Sequence, residues 1–372
     1  MSEIRPISLC NIVAKIVSKV LTNRLWPVLM KINSETQSAF LTGRIISDNI
    51  LIAHEVLHHM KHSKLVNNNS MALKLDMSKA YDRVELPFLE AIMIRLGFCR
   101  VFVDWIMCLV STVSYSFLVN GAPNGFIRPK RGIRQGDPFR DSPSISHILF
   151  ADHTMIFCKA GIEEGADVRR ILGEYEEVGD QGKYLGLPSQ IERSKKEAFS
   201  YITKRVEERT KGWRGRLLSQ AGKEVLIKTV TIAIPNYVMN CFLLPQGIID
   251  NLNSFMEKFF SASSDTDKGV HWKSWEVSCV DKNEGGLGFK DLQYMNLTLL
   301  TKQGWRIANG EVSLLYKVLK GRYFKMTPFL RAKLRSNPSF GWRSILEGEE
   351  YIRRKKGAFD GNSLASWEWK EH

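Results

Sequence analysis

Residues 71–76 read MALKLD, and residues 148–158 read ILFADHTMIFC; these two stretches decide the fold. MALKLD alternates apolar and polar positions in part, is short, and ends on an acid, which reads as a strand. ILFADHTMIFC is two apolar runs around Asp152-His153-Thr154, which reads as a β-hairpin with its acid at the tip. Asp76 and Asp152 would then stand at strand ends. Carboxylates at neighbouring strand ends can hold Mg²⁺, a hard cation usually completed by phosphates and water. Two such ions about 3.5–4 Å apart can activate an attacking hydroxyl and stabilise the departing oxygen of an in-line displacement. Taken alone, however, an Asp after a strand is more often a cap or turn former.

Outward from these strands the pattern is mainly helical. Residues 9–25 set Ile12, Val13, Ile16, Val17, Val20 and Leu21 on one face, predicting an amphipathic helix. Further helices are predicted over 46–62, 86–97 and 100–112. Residues 114–120 (SYSFLVN) read as a strand returning through a 121–125 turn to a partner at 126–129. Beyond residue 163 helices are predicted at 163–178, 194–211, 219–233 and 247–260, with strand-like Tyr184-Leu185-Gly186-Leu187 before them. Residues 261–269 (SASSDTDKG) read as a linker, followed by helices to about 320.

The formal net charge is +14, which favours a polyanionic partner, nucleic acid first. Between Arg193 and Lys228 eleven Lys/Arg stand against four Glu, so this stretch carries half of the surplus. Lys204, Arg205, Lys211, Trp213, Arg214 and Arg216 are the candidate nucleic-acid contacts, since an aromatic among cations suits a base stacked beside phosphates. The plain alternative is a solvated helix face. Six scattered cysteines without a C-x-x-C pair point to neither a disulfide framework nor a zinc knuckle, and to an intracellular setting. No apolar run is long enough to span a bilayer, and MSEIRPISL lacks a secretory apolar core, so no membrane partner is expected. Nothing in the sequence sets an oligomeric state.

Several ordered stretches add to this reading. LDMSKAYDRV (75–84), RGIRQGDP (131–138) and FADH (150–153) resemble three consecutive motifs of the reverse transcriptases of non-LTR, LINE-type retrotransposons. RPISLCNIVAKIVSKVLTNRL (5–25) and QSAFLTGRIISDNI (37–50) resemble the finger segments before them. KYLGLP (183–188), KGWRGRLLSQAGKEVLIKTV (211–230) and GGLGFKDLQYMNLTLLTKQGWR (285–306) resemble the family's segments on the C-terminal side of those motifs, with wording closest to plant elements. The resemblance implies an α/β, right-hand polymerase arrangement with a reduced palm sheet: fingers-like helices over 1–70, palm over 71–188, basic helical thumb over 189–260, and a C-terminal connecting region over 261–372. It implies RNA-templated addition of deoxynucleotides to a DNA primer with two Mg²⁺, and a nuclear setting.

Carried over by position, Asp76 and Asp152 would be the catalytic, metal-binding aspartates. Met77, Ser78, Lys79 and Ala80 would lie near the incoming triphosphate, and Tyr81 would be the gate that excludes a ribose 2′-hydroxyl. Gln135 and Gly136 would contact nucleotide and template, with Arg131 and Arg134 as phosphate contacts.

Two departures from the family pattern predict loss of activity. The family reads FADD at the hairpin, whereas this chain reads FADH; His153 puts an imidazole, a softer ligand, where a carboxylate is expected. Only fifteen positions separate Asp137 from Asp152. The nine residues from Phe139 to His147, with Pro143 among them, are too few for a helix-bearing crossover, which takes at least about 10–12. A second piece is missing between Glu177 and Lys183. The expected function is therefore a degenerate reverse-transcriptase domain. The rival is a non-catalytic nucleic-acid-binding remnant, and a decayed product without function stands third.

Overall fold

The computed structural model describes residues 12–39, 41, 43–62, 70–76, 84–120, 122–127, 148–150, 153–159, 183–191, 194–214, 218–261, 275–310, 313–334 and 336–356. The chain forms two compact units, one from residues 1–49 and 68–181, the other from 50–67 and 182–372. Among the described residues the fold is mostly helical with small antiparallel sheets. The α/β expectation therefore holds only in that coarser form. The predicted helix over 163–178 and the 261–269 linker, apart from Ser261, lie outside the described residues.

In the first unit, α1 (Ile12–Ile32) turns Ser18, Leu21, Thr22, Leu25 and Leu29 inward. Leu21 packs with Met93, Val103 and Ile106 of a helical hairpin formed by α3 (Leu86–Arg95) and α4 (Arg100–Ser111). Leu25 and Leu29 join Leu41 beneath Phe98 and Phe102. The helix is where the periodicity put it, but the buried face is not the one read: Ile12, Val13, Ile16, Val17 and Val20 are exposed and only Leu21 is buried. The more aliphatic stripe competed with a second one, spaced at i, i+4, i+8, that meets the hairpin. The α3–α4 corner is closed at Gly97 (φ 86°), whose left-handed conformation lets the Phe98 N–H donate to Met93 O at 3.2 Å.

The predicted palm strands pair. β1 (Ser70–Asp76) runs antiparallel to β5 (His153–Lys159), and β5 to β4 (Ile148–Phe150), in the order β1-β5-β4. Phe150 pairs with His153, so His153 and Thr154, read as part of the tip, belong to the strand. Likewise β2 (Tyr115–Val119) pairs with β3 (Ala122–Ile127) as far as Val119 and Ala122, so residues 122–125, read as turn, belong to the strand, and Asn120 is left-handed at φ 51°. Asn tolerates that conformation, which suits a two-residue hairpin.

The second unit is a helical assembly around α2 (Ile46–His62), whose residues from Ile50 on belong to it. Leu51, Ile52, Ala53, His54, Glu55 and Leu57 are all buried, so the helix is enclosed on most sides. Around it come a small hairpin, β6 (Lys183–Tyr184) and β7 (Leu187–Pro188), and the helices α5 (Lys195–Ala198) and α6 (Ser200–Arg214). A continuous rod comes next, α7 (Gln220–Leu226), a π-helical turn (Ile227–Thr231) and α8 (Ala233–Met239), where one helix over 219–233 was expected. Then come α9 (Gln246–Ser261), α10 (Trp275–Cys279), α11 (Leu292–Ala308), α12 (Leu314–Tyr323) and α13 (Phe340–Lys356). α13 lies beyond the last helix the pattern predicted.

Polar side chains knit this unit. Buried Asn296 of α11 donates to Met239 O (2.9 Å) and Phe242 O (3.0 Å) and accepts from Leu244 N–H (2.8 Å). Three partners for one amide satisfy a group whose burial alone would cost about 1–3 kcal/mol. Trp342 of α13 stacks on Tyr323 at 4.5 Å, with Phe324 and Phe329 beside it. α11 and α13 approach so closely at Gly348 that a Cβ there would meet Thr301 N at 2.8 Å, and Thr301 Oγ1 donates to Gly348 O at 2.7 Å.

Candidate functional site

Three groups of residues bear on function, one in the first unit and two in the second. In the first unit, β1 ends at Asp76, and the strand register sets its Cα opposite His153, with Leu75 opposite Thr154 and Lys74 opposite Met155. Met155 is buried, so the sheet has an apolar side to hold it. Of the residues assigned to this centre by resemblance, only the backbone of Asp76 is described. Asp152, Met77, Ser78, Lys79, Ala80, Tyr81, Arg131, Arg134, Gln135 and Gly136 lie outside the described residues, as does the joint between Asp137 and Asp152.

Among the described residues no group of three or more His, Cys, Asp and Glu side chains is placed to hold a metal ion. What the described residues give at this place is the backbone register of Asp76 with His153. Magnesium takes hard oxygen ligands, and an imidazole does not replace a carboxylate in collecting two dications.

The cationic stretch in the second unit is divided by the fold. Phe199, Ile202, Val206 and Thr210 face the core from α6 and its N-terminal turn, which leaves Lys204, Arg205, Arg209 and Lys211 exposed with Glu208 among them. Lys211 is ion-paired with Glu207 at 2.8 Å. Trp213 is half-buried, its ring 5.6 Å from Phe259 of α9, so it serves packing. Arg214 ends the helix, and Arg216 lies outside the described residues. Two other cations of the run are structural: Lys223 is buried and reaches Phe260 O at 3.4 Å. Lys228 donates to Glu224 (2.8 Å) and to Leu287 O (2.7 Å) and lies over the Phe289 ring. Lys228 and Lys282 together hold the Glu224 carboxyl down to about 2. The run's charge was legible in the sequence; which charges stay on the surface was not.

A polar centre that no motif announced surrounds Glu55. This side chain is 2% exposed, accepts from Tyr323 OH at 2.9 Å and from the Ser339 hydroxyl, and faces Arg322 Nη1 at 3.2 Å. Arg322 Nη1 also donates to Glu55 O, and Nη2 to His58 Nδ1, both at 2.9 Å. Burial raises the Glu55 carboxyl above its ordinary value, against the pull of Ser339, Tyr323 and Arg322. Burial and nearby cations bring His54 and His58 down to about 4. The only sequence signal was the spacing His54, His58, His62 at one residue per helical turn.

Residues 1–201 match the reverse transcriptase (RNA-dependent DNA polymerase) family, more than half of the chain. The chain is 36% identical over 124 residues to an uncharacterized mitochondrial protein of Arabidopsis thaliana, covering 33% of this chain and 80% of that protein. A second Arabidopsis thaliana protein, named provisionally for ribonuclease H, is 36% identical over 188 residues, 49% of this chain and 30% of its own. The uncharacterized 149 kDa protein of transposon TX1 of Xenopus laevis is 32% identical over 135 residues, 36% of this chain and 10% of its own. The chain thus spans most of the first relative and less than a third of the other two. The resemblance read from the ordered motifs is borne out: the chain belongs to the reverse transcriptase family.

Proposed function

We propose that this chain is the reverse-transcriptase region of a plant-like, non-LTR retrotransposon, and that it no longer polymerises. The observation that carries the reading is the register of Asp76 with His153. Asp152 is bonded to His153, which supports a shared strand-end site for the two aspartates, and by the resemblance His153 stands at the position of the family's second carboxylate. Asp76 and Asp152 are the residues that would hold magnesium, whose role in the family is to activate the primer hydroxyl. The present donor set does not suit two such ions. The nine-residue joint before the hairpin adds a second defect, since misplacing a ligand by about 1 Å can cost ~10²-fold in rate.

The ancestral layout is the one the resemblance implies: fingers over 1–70, palm over 71–188, thumb over 189–260, connecting region over 261–372, acting on an RNA template, a DNA primer and deoxynucleotides. A second reading, a nucleic-acid-binding remnant, is favoured by the exposed Lys204, Arg205 and Arg209 on one helix. Primer extension on an RNA template with Mg²⁺ or Mn²⁺ tests the first reading. Incorporation no greater than that of Asp76→Ala is expected, and incorporation that disappears in Asp76→Ala would overturn it. RNA binding that weakens with salt, without incorporation, is the outcome expected of the remnant.

A further inference from the structure

The cations around His58 form a built arrangement that neither the catalytic centre nor the basic helix α6 accounts for. His58 stands on α2, and its Nδ1 accepts a hydrogen bond from Arg322 Nη2 of α12 at 2.9 Å. A ring that accepts at Nδ1 and is neutral carries its proton on Nε2, so it presents a donor on its other side. One turn further along α2, the His62 ring lies 4.3 Å from that of His58, and its Nδ1 donates to His58 O at 2.9 Å, so its Nε2 is a donor when the ring is protonated. Arg343, exposed in the first turn of α13, is tied to the same place by its backbone N–H, which donates at 3.1 Å to the carbonyl of Ser339, the residue whose hydroxyl reaches Glu55; its charge and that of His59 oppose protonation of His58. Three helices thus bring cationic or proton-donating groups to one place.

The arrangement is also anchored. The Glu55 interactions fix Arg322 from below, and Ser339, which accepts the Trp342 N–H at 3.0 Å, ties the start of α13 to the same carboxylate. The bonds to Glu55 O, Glu55 Oε2 and His58 engage three of the five guanidinium N–H groups. A guanidinium so oriented has its entropy of ordering already removed, which favours a ligand that matches its fork. The His58–His62 spacing would suit a metal, but a guanidinium donating to His58 Nδ1 occupies that nitrogen and repels a cation. An anion fits instead.

We propose that His58, His62, Arg322 and Arg343 form an anion site that receives a backbone phosphate of bound nucleic acid. The proposal rests on the reading of this protein as a nucleic-acid binder, and does not require polymerase activity. The site lies wholly within the second unit, on elements outside the thumb-like stretch where the sequence placed nucleic-acid contacts.

The test is fluorescence anisotropy of the full chain with a fluorescein-labelled, single-stranded oligouridine RNA, titrated across a salt series without nucleotides. Arg343→Ala is expected to weaken binding and to lower the slope of log affinity against log salt by roughly 0.7, the value for one phosphate contact on a single strand. His62→Ala is expected to weaken binding further in the Arg343→Ala background. Lys302→Ala, an exposed lysine on α11, serves as the charge-matched control and is expected to leave the slope unchanged. Circular-dichroism melts of each variant confirm the fold. If Arg343→Ala and the double variant bind as Lys302→Ala does while the wild type binds RNA, this site is wrong and the nucleic-acid reading stands. If the wild type does not bind, both fall together.

Discussion

Asp76 and His153 are register partners in an antiparallel strand pair, an acid at the end of β1 opposite an imidazole at the start of β5. The imidazole is one of two proposed defects, so reversing it alone is a direct test. His153→Asp restores the family's acidic pair and adds one negative charge. The nine-residue joint from Phe139 to His147 remains too short for a helix-bearing crossover. The variant is therefore expected to extend an RNA-templated primer no better than the wild type, with Mg²⁺ or Mn²⁺. Measured incorporation in His153→Asp above that of Asp76→Ala would show that the imidazole alone blocks catalysis.

Glu55 and Arg322 are a buried acid and a half-buried cation whose partners come from residues more than 260 positions apart. Removing one member of such a pair leaves the other unmatched, which typically destabilises by about 3–5 kcal/mol. Glu55→Ala should fall in that range by urea denaturation. Glu55→Gln keeps an oxygen for Tyr323 and Ser339 and should lose less. Equal losses for the two variants would mean that the charge plays no part.

His54 and His58 give the second unit a pH dependence with a defined sign. Both have folded-state values near 4, below the ordinary 6.5, so folding favours their neutral forms. Their contribution is present above pH 6.5 and is lost as pH falls through about 4. For His54, 5% exposed and packed edge-on to Phe242, the shift corresponds to at most about 3 kcal/mol. Glu55 acts in the opposite sense, because its raised value favours the protonated form at low pH. The stability of His54→Gln should therefore change less than the wild type's between pH 6.5 and 4, as followed by melting temperature. Parallel curves would exclude His54 as the source.

How far these features could be read in advance depended on the range of the interactions. The strands at 71–76 and 148–158 carried their own signal, because alternation and turn residues are local, and the β4–β5 hairpin came with them; that β1 lies beside that hairpin was implied by the resemblance alone. His153 and Thr154 were read as tip because they are polar, although strand pairing absorbs them. α1 was identified as a helix with the wrong face, since its buried stripe is defined by Met93, Val103 and Ile106, which come seventy and more positions later. Glu55 was invisible for the same reason. An acid in a helix reads as surface until Tyr323, Arg322 and Ser339 are brought to it by the fold.

The α11–α13 contact offers a test of packing that touches no charge. Gly348 lies where a Cβ would sit 2.8 Å from Thr301 N and 2.9 Å from Leu300 Cβ, and part of that surface is backbone, which cannot swing aside. Gly348→Ala must separate the two helices or strain them, and overpacking of this kind costs typically about 1–3 kcal/mol. Gly321, inside α12, has open space around its added Cβ. There the same substitution should stabilise by roughly 0.5–1 kcal/mol, through the better helix propensity of alanine. Opposite shifts in the urea midpoint are thus expected for one chemical change at two helical glycines. A Gly348→Ala midpoint at or above the wild-type value would mean that α13 is not seated against α11 at this glycine, and the Thr301–Gly348 hydrogen bond would go with it.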